Sequence, residues 1–140
     1  MATGLIPLIS SQTHRRIDQL TFPGLLATAA LMSGQDRRAA GVILATAFVE
    51  GAAYLTTDYP PAVLPLMSFR THNRVATAHG ALVIGLGLLM PGLTRRGRLA
   101  LCALGTMPIT LAAVSDTREG RPVRAEGTRE RASNLPSYSR

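Results

Sequence analysis

The chain matches itself without a gap at an offset of 58 residues. PLISSQTHRR, from Pro7 to Arg16, returns as PLMSFRTHNR, from Pro65 to Arg74. The register then holds through Leu31 and Leu89, Met32 and Met90, Gly34 and Gly92, Arg37 and Arg95, Arg38 and Arg96, and finally Asp58 and Asp116. Most matched positions outside the apolar runs are polar or helix-breaking, so shared apolar composition does not produce the match. Whatever the chain folds into has to be built from two copies of one unit, about 7–58 and 65–116.

Each copy holds two apolar runs of about 17 to 20 residues, the length that spans a bilayer as a helix. The runs are about Arg15 to Ser33, Ala39 to Thr57, Val75 to Leu93 and Leu99 to Ser115. The first is the weakest, being short and broken by Pro23 and Gly24, while the third and fourth are good spans. A soluble bundle would carry a charged stripe at a 3.6-residue period, and the last three runs have almost none. Small residues four apart (Gly41 and Ala45, Ala47 and Gly51, Ala81 and Gly85) allow close helix approach. The predicted architecture is all-α: an integral membrane four-helix bundle of two parallel-repeat helix hairpins, with residues 117–140 as an Arg-rich polar tail. Each hairpin opens with Ser near an N-cap, turns at Gly beside an Arg pair and closes on Asp.

Two spans per unit bring the second unit in from the same side as the first. His14, Arg16, Asp18, Asp58, His72, Arg74 and Asp116 then form an interfacial polar cluster at one membrane face. Arg37, Arg38, Arg95, Arg96 and Arg98 mark the other, as lipid-facing or headgroup arginines. Of the fifteen basic residues, all Arg, ten fall on the face of the termini and five on the opposite one. The positive-inside rule therefore places both termini in the cytoplasm, with the chain multi-pass in a bacterial inner membrane.

A net charge of +7 invites a nucleic-acid reading. The arginines punctuate apolar runs, however, and the chain has no Trp and only three Tyr and three Phe to stack on bases, so that class is set aside. Cys102 is the only cysteine and lies in an apolar run, which excludes internal disulfides and makes a cysteine metal site implausible. MATGLIPLIS lacks the basic and long apolar regions of a signal peptide, so no cleaved one is expected. The tail beyond Asp116 is too polar to order by itself and is expected to need a partner.

The repeat, the T-H-x-x-x-D of Thr13, His14 and Asp18, and the T-D-Y of Thr57, Asp58 and Tyr59 together resemble small bacterial four-helix membrane proteins of the SPW-repeat type. The resemblance covers about Pro7 to Asp116 and implies an architecture, not an activity. The Ser-Pro-Trp triplet itself is absent, the corresponding turns reading MSG and MPG, and Ala76 stands where the second repeat of that type would carry Asp.

Glu50 sits deep in the second run, where an unpaired carboxylate costs several kcal/mol. At about 1.5 Å per residue it lies about 12 Å from Asp58, and His79 lies about 10 Å from His72 on the next helix. Glu50 and His79 are thus the candidate intramembrane pair, as a structural hydrogen bond first and a proton or ligand site second. His14 and His72 are a weaker candidate pair of haem ligands, with Arg16 and Arg74 for propionates, and His79 a weaker still pigment ligand. No catalytic set, phosphate loop or metal-ligand spacing emerges, and no cofactor or enzyme activity is expected. Beyond the lipid bilayer, the expected partners are other membrane subunits. The favoured function is a structural or accessory subunit of a larger complex, ahead of a small transporter or a proton- or ligand-binding protein.

Overall fold

The computed structural model describes residues 8–58 and 63–116. These form four α-helices: α1 (Ser11–Ser33), α2 (Arg37–Thr56), α3 (Phe69–Leu89) and α4 (Arg95–Val114). Among the described residues there is no strand. The tail, Pro7 and Tyr59 lie outside them, so the expectations for the tail and for the T-D-Y phrase lie outside the description as well.

Each helix starts where a short polar side chain can hold an otherwise unpaired amide. Ser10 Oγ accepts from Thr13 N and Ser68 Oγ from Thr71 N, at 3.1 and 3.2 Å. Asp36 and Thr94 cap α2 and α4 in the same way. These caps pull every helix start four to six residues ahead of the apolar runs for α1, α3 and α4, so the polar phrases THRR and THNR are helical first turns. Gly92 turns the chain after α3 at φ +74°, a conformation that disfavours a side chain.

Helix α1 packs on α2, and α3 on α4, as two hairpins. The crossings use a large residue against a small one with the roles exchanged. In the first hairpin the Phe22 ring lies over Gly51; in the second, the equivalent positions are Gly80 and Ile109. Gly80 also meets Gly105 backbone to backbone, so α3 and α4 touch along their main chains.

The two-fold relation survives in the tertiary hydrogen bonds. Leu8 N and Ile9 N donate to Val114 O, and Leu66 N and Met67 N donate to Thr56 O. Asp116 N donates to Ile9 O, and Asp58 N to Met67 O. The start of each unit is therefore clasped by the end of the other. The largest fully buried side chains obey the same relation: Ile43 with Leu101, and His14 with His72, alongside Thr57. Leu25, Ile43, Val83 and Leu101 fill the axis between the two ends.

Helices α2 and α4 are long and apolar enough to cross a membrane, and only 28% and 17% of their most apolar stretches are buried inside the protein. Helices α1 and α3 do not reach that standard. The extent of α3 differs from the expected run: its first turns carry Arg70, His72 and Arg74, and it stops at Leu89 before Pro91 and Gly92, short of Leu93. Large apolar side chains nevertheless point outward from all four helices, among them Leu20, Phe48, Leu82, Leu89 and Leu99.

Candidate functional site

At the end of the axis where the units clasp, the first turns of α1 and α3 bring His14 and His72 edge to face, ring centroids 5.7 Å apart. They are 2% and 1% exposed, an unusual depth for polar rings in a first turn. Phe69 packs against both, edge-on to His14 and stacked on His72, and closes one side of the pair.

Each imidazole is oriented by a hydroxyl from the helix end that clasps it. His72 Nδ1 lies 2.9 Å from Thr57 Oγ1, and Thr57 donates its only hydroxyl proton to Ala53 O at 2.6 Å. His14 Nδ1 lies 2.6 Å from Ser115 Oγ, which donates to Leu111 O, also at 2.6 Å. With their protons committed, both hydroxyls can only accept from the rings, so each histidine carries its proton on Nδ1. Both Nε2 atoms then turn toward one carboxylate: His14 Nε2 is 3.4 Å from Asp18 Oδ1, and His72 Nε2 is 3.4 Å from Asp18 Oδ2.

The histidines are related by the repeat, whereas the carboxylate is not, because Ala76 occupies the position equivalent to Asp18. One acid thus serves two bases. These groups line a cavity of about 20 Å³ together with Thr21, Thr46, Glu50, Leu104 and Pro108. That is room for one water molecule or one ion. Pro108, lacking an N–H, leaves the Leu104 carbonyl without its helical donor on the same wall.

The expected pairing of Glu50 with His79 is not seen among the described residues. Helix α2 packs chiefly on α1, so Glu50 enters the cavity of His14, Asp18 and His72. His79 is not among the cavity residues, and its Nε2 is buried with no hydrogen-bond partner among the described residues. A pigment metal would have to reach that enclosed nitrogen. The haem expectation meets a similar obstacle, because a macrocycle does not enter a cavity of 20 Å³ whose two rings already touch.

The interfacial cluster is also reassigned. Asp58 and Asp116 give their backbone amides to the clasp, and the residues just before them, Thr57 and Ser115, hold the histidines. Arg16, Arg74 and Asp58 are exposed. At the other end, Arg37 and Arg95 are exposed, whereas three arginines bind the protein. Arg38 donates to Pro91 O, Arg96 to Gln35 Oε1, and Arg98 to Gly87 O, Leu88 O and Met90 O at the end of α3. Cationic side chains there satisfy carbonyls that a helix C-terminus leaves unpaired.

The sequence reading missed Thr57 and Ser115, although a signal existed: both are hydroxyl residues at equivalent positions, directly before the closing Asp of each unit. Compared with known proteins, the chain matches no family model, no curated protein and no solved structure.

Proposed function

We propose that the chain is a four-span protein of a bacterial inner membrane that binds a small cation in the cavity formed by His14, Asp18, His72 and Glu50. The observation that carries this reading is the convergence of two buried, repeat-related Nε2 atoms on one carboxylate. Ionisable groups gathered inside a lipid-facing bundle are expensive, of the order of 2.5–3.5 kcal/mol each at the centre of a span, and are usually retained for a function. The outward-facing leucines support lipid on all sides, and two of the four helices meet the length and apolarity of a span by themselves.

A transport path is not part of the proposal. Between the cavity and the Asp36 end, Leu25, Ile43, Val83 and Leu101 are at most 4% exposed and leave the axis dry. The accessory-subunit reading retains one supporting observation, an apolar groove of about 500 Å³ between α1 and α2 lined by Phe22, Phe48, Gly51 and Leu55, which a partner helix would fit.

The test is thermal unfolding of the nanodisc-embedded protein against a cation panel of H⁺, Na⁺, Mg²⁺, Ca²⁺ and Zn²⁺. A ligand that binds the folded state raises the melting temperature by an amount that grows with the logarithm of its concentration above Kd. At least one cation is expected to stabilise the wild type and to lose that effect in the double variant His14→Ala and His72→Ala. Identical responses of the two proteins to every cation would end the reading.

A further inference from the structure

We infer that the cation is a divalent first-row transition metal of the Zn²⁺ class, held by Nε2 of His14, Nε2 of His72 and the Asp18 carboxylate, with Glu50 on the wall of the same cavity. This rests on the cation-binding reading above and names its ligand.

Distance comes first. Ligands about 2.0–2.1 Å from a tetrahedral metal stand about 3.3–3.4 Å from one another. The two Nε2 to carboxylate separations are both 3.4 Å, and the three donor atoms lie within 4.8 Å of each other. An imidazolium hydrogen-bonded directly to the carboxylate would sit closer, at about 2.7–2.9 Å. His14 Nε2 faces Oδ1 and His72 Nε2 faces Oδ2 of the one carboxylate, and the three groups lie close enough to meet a single ion.

Orientation is the second argument. A histidine that binds metal through one nitrogen has the other fixed by a hydrogen bond that sets the tautomer. Thr57 and Ser115 do this for both rings, and their own protons are anchored to Ala53 O and Leu111 O. Both Nε2 atoms face the Asp18 carboxylate on the wall of the cavity, whose volume suits a single ion.

Charge and donor type select the metal. Two neutral imidazoles and the Asp18 carboxylate offset one charge of a divalent ion, and Glu50 on the wall of the same cavity supplies a second carboxylate, so little net charge is held in a low-dielectric bundle. Mixed nitrogen and oxygen donors favour zinc, iron, nickel or copper, whereas magnesium and calcium prefer shells made of oxygen alone. The three ligands escape a sequence search because two lie 58 positions apart on different helices, with only His14 and Asp18 one helical turn apart.

The experiment is a Co²⁺ titration of the full chain in detergent after chelator treatment, followed by visible absorption, with Zn²⁺ as competitor. The expected result is one Co²⁺ per chain with the intense visible bands of a four-coordinate site, displaced by Zn²⁺ and abolished by His72→Ala or Asp18→Asn. Should those variants fail to fold, Thr57→Val and Ser115→Ala keep His14, Asp18 and His72, and each is expected to weaken Co²⁺ binding about 10- to 100-fold. Weak octahedral absorption alone, or an affinity unchanged in the hydroxyl variants, overturns the metal assignment. A chain that ignores Co²⁺ and Zn²⁺ yet is stabilised by H⁺ or Na⁺ through the histidines overturns it while leaving the cation reading in place.

Discussion

Asp36 and Thr94 occupy the same position in the two repeats, and each caps its own helix while bonding to the other. The Asp36 carboxylate accepts from Arg38 N and Ala39 N through Oδ1, and from Thr94 N and Thr94 Oγ1 through Oδ2, at 2.7 to 3.1 Å. Thr94 Oγ1 in turn accepts from Gly97 N. One side chain therefore ties the starts of α2 and α4 together at the end of the axis opposite the histidines.

That arrangement makes stability depend on pH in the acid range. Amide donors at Ala39 and then Thr94 hold the Asp36 carboxyl below its ordinary value of 3.8. A depressed folded pKa contributes stability that is fully present above 3.8 and is lost as pH falls through the folded value. Melting temperature in detergent should drop at acid pH in the wild type. In Asp36→Asn the part of that drop due to this group should vanish, from a lower plateau at neutral pH; an acid limb identical in both proteins would contradict the assignment.

The glycines at the α3 and α4 crossing are sharply position-dependent. A Cβ at Gly80 would run into Gly105 O and lie 2.9 Å from Pro108 Cγ, whereas at Gly85 it would meet nothing within 4 Å. Gly80→Ala is expected to destabilise by about 1–3 kcal/mol through overpacking. Gly85→Ala should be neutral or stabilise by up to about 1 kcal/mol. Equal melting temperatures for the two variants would mean that the helices do not approach as described.

Outward-facing aliphatic residues should sit in lipid. Leu44 is 43% and Leu82 58% exposed on α2 and α3, and Arg70 is exposed near the clasped end. Nitroxide labels at Leu44→Cys and Leu82→Cys, with Cys102→Ala, are expected to be relaxed more by oxygen than by a polar nickel chelate. A label at Arg70→Cys should show the reverse preference. Chelate access at Leu44 and Leu82 equal to that at Arg70→Cys would place those faces in water.

Much of this fold was legible in the sequence, since an ungapped repeat with two apolar runs per copy dictates two hairpins facing the same way. The four-helix, all-α organisation follows, as do the Ser caps at Ser10 and Ser68. The cluster of His14, Asp18 and His72 was legible only as an end of the molecule, because a repeat places equivalent residues near one axis without saying which side chains turn inward. Glu50 was assigned to His79 from depth along consecutive helices, but depth does not determine azimuth, and α2 turns its Glu50 face to the cavity shared with α1. Asp36 was hidden for a related reason: its equivalent is Thr94, so the identity-based alignment passed over a pair whose chemistry is complementary rather than identical.

The central claim is that both histidines present Nε2 to a shared centre, and nitrogen-detected NMR of the ¹⁵N-histidine-labelled protein tests it most directly. At alkaline pH, where imidazoles are neutral, His14 and His72 are expected to show the Nδ1–H tautomer, with both Nε2 resonances moving on addition of Zn²⁺ and that of His79 unmoved. An Nε2–H tautomer at either ring, or a Zn²⁺ response confined to His79, would contradict the account.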